Sequence, residues 1–578
     1  MARNVGGMHV AKISRRHGDR EYDSYLVRRS IREGRRVRHE TVANVSRLPP
    51  EAIEALTQAL RGVRLVPEGE AFEIVRARKH GHVEAVLAAA RRLGLARLLD
   101  REPSRERDLC VAMIAGRVLE GGSKLACTRQ LVACTLGEEL GVEGAVHDDL
   151  YGAMDWLLAR QSAVEQRLAR RHLREDQLAL YDVSCSYFEG RACPLARFGY
   201  DHGSGKRGRM QVEYGLLCDS DGRPVAIEAF EGSLKDDKTL PSQIKKLEQR
   251  FGLSRVIVVA DRGIGTKENV TLVSETAEFA FITALKAPQV RKLVKEGALQ
   301  LSVFDQLNLA EIACEQLYPG QRLVVCRNPL IAAERARKRH ELLAGTEKDL
   351  GEIKRRVQAG TLHGEAEIGL AVGAVWNRYK VKKHFQVNIT DDTLTYQRMH
   401  EQIAQEAELD GIYVLRAGRI DPQELAAAGI VRAYKQLKEA EKGFAGLKGP
   451  LEVRPIHHRL EDRVRAHLVI CMLAEYVRWH LRHAWAELLF QDDIPAATAD
   501  PVAKATRSRE ATRKAGRRRT PEQEPCHTIE SLFDELENRT RNAIRVNGSE
   551  ATFPQLTLPT ELQARALELI NEHVPQLT

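Results

Sequence analysis

The sequence predicts a mixed α/β protein whose central sheet carries parallel strands beneath helices, and three observations predict it. LALYDVSCSYFEG (from Leu178), VEYGLLCDSDGRP and VAIEAFEG are strand-like runs, the last two joined by an Asp-Gly turn, so together they read as a meander. The helical stretch TLPSQIKKLEQRFG then leads into the wholly apolar VIVVA, and DRGIGTKENVTLV, where a strand gives way to a helix, leads into FAFITALK. Apolar runs alternating with helices are the pattern of parallel strands covered on both faces. Asp182 and Asp261 fall at the carboxyl ends of two of these strands, where open α/β sheets place their sites.

The other elements follow in chain order. Residues 20–46 alternate as two strands around Glu33-Gly34, and PPEAIEALTQALRG reads as a helix with proline at its start, which makes 1–82 a small basic entry module. Residues 83–175 hold amphipathic stretches such as HVEAVLAAARRLGLARLLD and DLCVAMIAGRVLEG, a helical region expected to bind DNA. The sheet occupies 176–285. Within 286–405, AAERARKRHELLAGTEKDLGEIKRRVQ is a charge-rich helix and KHFQVNITDD a strand, and DGIYVLRA resumes the core over 406–495. A basic linker (496–525) and a tail (526–578), in which TIESLFDELENRTRNAIRV reads as helical, complete the chain.

Composition narrows the function classes. With 578 residues and 43% hydrophobic content the chain has ample material for large cores, and Lys+Arg 89 against Asp+Glu 80 leaves only +9. The positive charge is concentrated in three blocks: Val27–Glu40 with Arg35, Arg36 and Arg38, His202–Arg209 with Lys206, Arg207 and Arg209, and Lys504–Arg519. One such block is an ordinary solvated run; three together favour a polyanionic partner. Ten cysteines without CxxC spacing read as reduced thiols, and the opening residues lack the apolar core of a signal peptide. LVICMLAEYV is too short for the ~20 residues of a membrane span and reads as a core helix.

The candidate site comes from three distant stretches. In YKQLKEAEKGFAGLK, Tyr434, Glu441 and Lys448 recur every seven residues, close to two helical turns, and so share one stripe. A charged helix face with that spacing is common by itself. Joined to Asp182 and Asp261, however, Glu441 completes three hard oxygen donors, a set suited to Mg2+ or Mn2+. Two such ions ~3.5–4 Å apart activate an attacking water or hydroxyl and stabilise the leaving oxygen of a phosphodiester.

These stretches resemble the three catalytic regions of bacterial insertion-sequence transposases of the DDE class, in the branch marked by a Tyr-(2)-Arg-(3)-Glu-(6)-Lys signature. YDVS, VVADRG and the Tyr434–Lys448 stretch carry the resemblance, and SKLA, DGIYVLR and RPIHHR agree with it over roughly residues 20–490. The arginine position holds Leu437, with Lys435 and Lys438 beside it as possible substitutes. The resemblance implies a ribonuclease-H-like core interrupted by an inserted domain at 286–405, metal ligation by Asp182, Asp261 and Glu441, and phosphate contacts from Tyr434 and Lys448. Arg262 ranks second for phosphate. It further implies two divalent ions, DNA partners (terminal inverted repeats and target), a homodimer in the synaptic complex, and a cytoplasmic, nucleoid-associated location. An inactive DNA-binding remnant, acting as repressor or scaffold, and a cellular nuclease of the same fold are the alternatives.

Other features carry less. GSGKRG fails as a phosphate-binding P-loop because Tyr200 stands at the first glycine and Arg207 at the Ser/Thr. His80/His82 and His457/His458 lack companions at zinc spacing. Asp236, Asp237 and Asp410 rank below the three acids. Trp376 and Tyr379 are candidates for base stacking, with core packing the better reading.

Overall fold

The computed structural model describes residues 4–17, 20–33, 36–63, 71–200, 207–276, 278–304, 308–490, 501–503, 507–520, 524–547 and 550–577. The chain divides into two units, Met1–Arg78 with Thr540–Thr557, and Lys79–Arg539 with Leu558–Thr578.

In the first unit, Arg20–Glu33 and Arg36–Asn44 pair antiparallel as expected, with Glu33 opposite Arg36. A third strand, Asn4–His17, which the sequence pattern does not announce, pairs along the other side of Arg20–Glu33. The helix Pro50–Leu60 follows, with proline in its first turn. A second sheet joins Phe72–Lys79 to Thr540–Val546 and Thr552–Leu556. This corrects the helical reading of the tail between its two helices, Ile529–Glu537 and Glu561–His573. The helix Ile529–Glu537 stops, and Thr540–Val546 extends instead, because β-branched Thr540, Ile544 and Val546 suit a ladder that Thr552–Leu556 and Phe72–Lys79 complete.

The second unit is built on a nine-stranded sheet: β1 (Leu178–Tyr187), β2 (Arg197–Tyr200), β3 (Arg207–Cys218), β4 (Pro224–Glu231), β5 (Ile257–Ala260), β6 (Ala280–Ala284), β7 (Leu309–Ile312), β8 (Gln321–Arg327) and β9 (Ile412–Gly418). Their order is β7-β8-β9-β6-β5-β1-β3, and β2 and β4 both pair with β3. β5 is parallel to both β1 and β6, and the remaining pairs are antiparallel. The architecture is mixed α/β. Gly215 on β3 is required by a close approach: a Cβ there would lie 2.2 Å from the hydroxyl of fully buried Tyr181.

Helices Gly81–Arg92, Arg105–Leu119 and His147–His172 account for most of the expected helical region, and Ser104 caps the second by accepting from the Arg107 N–H. Their apolar faces belong to the same continuous cluster as the sheet, running from Val83 through Tyr181 and Val259 to Val477. The helix Glu461–Ala484, which contains LVICMLAEYV, is buried along nearly its whole length, as read from the sequence. No helix among the described residues is long and apolar enough to cross a membrane.

Two strands inside the 286–405 span, β7 and β8, run in the main sheet, with β8 pairing along all of β9. The part that packs around its own apolar cluster, which includes Leu343, Leu350, Ile368, Val372, Phe385 and Leu394, begins with the helix Pro329–Gln358. The helix Glu365–Tyr379 and the hairpin Phe385–Ile389/Leu394–Arg398 complete it. Trp376 packs there with its ring centroid 5.8 Å from that of Phe385, in keeping with core packing.

Candidate active site

The site starts from the register of two parallel strands. Tyr181 on β1 pairs with Ala260 on β5, so Asp182, still on β1, and Asp261, just after β5, each follow a paired residue. Contrary to the sequence reading, Asp182 lies in the middle of its strand. β5 stops at Ala260, but β3 pairs with β1 as far as Tyr187 opposite Gln211 and holds it extended. Asp182 thus lies just past the end of its shorter neighbour.

After Ala260 the chain folds into a tight turn, with the Ile264 and Gly265 N–H groups both donating to the Asp261 carbonyl at 3.1 Å. Thr266 caps the next helix, Lys267–Glu275, by accepting from the Asn269 N–H. Buried Asn269 donates its side-chain amide to the carbonyls of Ile264 and Asp237, each at 2.7 Å, and so ties the Asp261 turn to the turn Asp236–Lys238. That brings in a residue the sequence reading ranked low. A Cβ on Gly263 would lie 3.5 Å from Asp236 Oδ2 and 3.8 Å from Asp261 Oδ2, so both carboxylates flank one glycine. The signal available in the sequence was an acidic pair shortly after the third meander strand.

The helix Ala427–Lys448 supplies the third element, packed on β1 and β5. Leu437 is buried, so the position expected to hold arginine faces the core instead of DNA. Lys435 donates to the carbonyls of Pro501 and Ala503, whereas Lys438 is exposed. The Tyr434 hydroxyl donates to Asp261 Oδ1 at 3.2 Å. Lys448 Nζ donates to Ser184 Oγ at 2.5 Å, two residues beyond Asp182 on the same face of β1. Glu441, between them on the stripe, is exposed.

Electrostatics bind the acids into one locus. Burial pushes the Asp182 carboxyl up to about 7; the Val183 N–H, donating at 2.9 Å, opposes this, and the charges of Asp261, Glu441 and Asp236 add to it. The Tyr434 phenol is raised above its ordinary value by burial and then by Asp261. Among the described residues no group of three or more His, Cys, Asp or Glu side chains is gathered closely enough to hold a metal ion. The arrangement is open, with Glu441 toward solvent and Tyr434 on Asp261. Carboxylates are the donor type that Mg2+ and Mn2+ take alongside waters and substrate phosphates.

Of the basic candidates, Arg262 is exposed beside Asp261, and the Arg209 guanidinium lies 5.2 Å from the centre of the Tyr187 ring at the end of β1. Arg207 opens β3. Lys206 and Arg35 lie outside the described residues. Arg36 and Arg38 are exposed on the strand Arg36–Asn44 of the first unit. Neutralising Arg36 and Arg38 together with Arg35 should weaken DNA binding and flatten its salt dependence by roughly 0.9 for each phosphate left without its cation; a titration with an unchanged slope removes this strand from the interface. Asp410 is engaged by Arg339. Of the histidine pairs, His80 hydrogen-bonds Thr135 at 2.8 Å, and the His458 ring lies between those of Tyr151 and His467.

Comparison with curated proteins returns no match. Residues 10–68 match the family model described as IS1634 family transposase, N-terminal domain. The first unit thus carries a transposase signature independent of the acidic site in the second, and the match supports an insertion-sequence transposase.

Proposed function

We propose that this chain is a DDE-class transposase that cleaves and rejoins the ends of its own insertion sequence by hydrolysis and transesterification of phosphodiesters. The observation that carries the reading is the β1/β5 register, which sets Asp182 beside Asp261 while Glu441 of the crossing helix adds its charge to Asp182. The meander with two parallel strands beyond β1, in the order β3-β1-β5-β6, supports a ribonuclease-H-like core.

Asp182, Asp261 and Glu441 would hold Mg2+ or Mn2+, two ions on this reading. Divalent ions so held supply an activated water or 3′-hydroxyl and charge stabilisation at the leaving oxygen. The protein's own groups do the rest. Tyr434 orients Asp261 through its hydroxyl, and Lys448, steadied by Ser184, offers a point charge to a strand phosphate beside Asp182. Arg262 adds a second cation next to Asp261. DNA partners are the terminal inverted repeats and the target, with a homodimer bridging the two ends in the synaptic complex.

A silent remnant would carry the electrostatic cost of four neighbouring carboxylates without using them, so the catalytic reading is preferred; a cellular nuclease of this fold would nick DNA without regard to the repeats. The test is a plasmid carrying the DNA that flanks the gene. Nicks confined to the repeat ends in Mg2+, abolished by EDTA, are expected. Full cutting in EDTA overturns the metal assignment, and cutting indifferent to the repeats overturns transposition in favour of the nuclease.

A further inference from the structure

A cavity of 510 Å3 opens beside the Asp261 turn. Arg262 and Tyr413 wall it on the sheet side, and Arg335, Lys338, Tyr379 and Lys380 on the side of the two helices that follow β8. Its volume is that of a small-molecule pocket.

The charge around it is sorted. Seven lysines and arginines face two acids, and both acids are engaged: Asp410 by Arg339, and Glu406 by Lys383 and His384. Arg291, Arg335 and Lys338 have no ion-pair or hydrogen-bond partner among the described residues. On the helix Pro329–Gln358, residues 335, 338, 339 and 342 form one stripe along the cavity. On the opposite stripe Arg337 reaches Glu341 at 2.6 Å, while Lys348 stands exposed. Like charges gathered on a concave wall repel one another and focus a positive field, an arrangement that a polyanion relieves. Two half-buried tyrosines, Tyr379 and Tyr413, line the same walls, each with part of its surface packed on an apolar cluster. Cationic grooves combined with aromatic faces are the chemistry of single-strand binding.

We propose that this cavity holds a single-stranded DNA segment, its phosphates on Arg291, Arg335 and Lys338 and a base against Tyr379 or Tyr413. The assignment rests on the strand-cleavage reading, because Arg262 belongs both to the Asp261 turn and to the cavity wall. A strand freed at the carboxylates therefore has a cationic path leading into the cavity.

The test is fluorescence anisotropy of a labelled oligo(dT) of roughly 12 nucleotides, within the site sizes of single-strand binders, and of a blunt duplex of the same length. Both are titrated across a salt series without divalent ions. Arg335→Glu/Lys338→Glu should weaken oligo(dT) binding about tenfold or more and flatten its salt slope by roughly 0.7 for each phosphate left without its cation. The outward-facing double variant Arg337→Glu/Lys348→Glu, with the same change of net charge, should shift it less than about twofold, and neither should alter duplex binding comparably. Arg291→Glu, on the other wall, should repeat the loss, and thermal melting checks the folding of each variant. Equal losses from inner and outer variants, or equal losses for duplex and single strand, overturn the proposal. Wild-type protein that cleaves repeat ends but does not hold oligo(dT) overturns the cavity alone, whereas oligo(dT) held through the inner residues without any cleavage keeps the cavity and overturns the catalytic reading.

Discussion

Asp182→Asn and Asp261→Asn should each lower strand cleavage at the repeat ends on the order of a thousandfold while leaving DNA binding within about twofold of wild type. The reason is that a neutral amide cannot replace a carboxylate ligand to a divalent ion, and metal assistance worth several kcal/mol corresponds to several tenfold steps in rate. Cleavage kinetics and repeat-end binding on the same preparations decide it. Near-wild-type cleavage by either variant would remove that aspartate from the mechanism. Asp182→Asn carries a second, independent signature. Burial pushes the Asp182 carboxyl up to about 7 in the folded chain from its ordinary 3.8. A raised carboxyl favours the folded state fully below its unfolded pKa, and that advantage is lost as pH rises toward the folded value. Without divalent ions, Asp182→Asn should therefore melt above wild type at pH 8, by an equivalent of about 1–3 kcal/mol after discount for partial exposure, and the gap should close near pH 4. A gap independent of pH would assign the effect to packing.

Glu441→Gln and Lys448→Ala should fail in different ways. Glu441 is exposed and nearly isosteric with glutamine, so its substitution should leave melting and DNA binding unchanged and remove cleavage by about a hundredfold or more. Lys448 donates to Ser184 beside the site, so Lys448→Ala should also weaken grip on the cleaved end, about five- to tenfold at low salt, with a shallower salt slope. Cleavage, repeat-end binding and melting measured together separate the two. A folded, fully active Glu441→Gln protein would make the helix a scaffold and leave Asp236, which faces the same place, as the carboxylate to test next.

Much of the frame was legible in residue order because it depends on local pattern. The meander, the alternation of VIVVA and FAFITALK with helices, and the two-turn spacing of Tyr434, Glu441 and Lys448 are written in periods of 2 and 3.6, and the structure has strands and a helix at those places. Pairing is another matter. That Asp182 sits in mid-strand, just past the end of a short β5, depends on which strands become neighbours, and residue order does not state this. Leu437 shows the same limit: the departure from arginine is visible in the sequence, but only packing decides that the position faces the core.

By itself, then, the sequence determined the class of fold, the acidic residues to be weighed and the basic character of the chain, since propensity, periodicity and charge belong to short segments. The tertiary structure decided everything that requires two distant segments to meet. Thr540–Val546 becomes a strand because Thr552–Leu556 and Phe72–Lys79 pair with it, and β7 and β8 join the main sheet because β9, far along the chain, receives β8. Asp236 reaches Gly263 through the anchoring of Asn269, and Arg335, Lys338 and Arg339 of the helix Pro329–Gln358 line a cavity that Arg262, beside Asp261, also walls. Long-range pairings of this kind are set by burial and hydrogen-bond satisfaction over the whole chain, and no local window contains both partners.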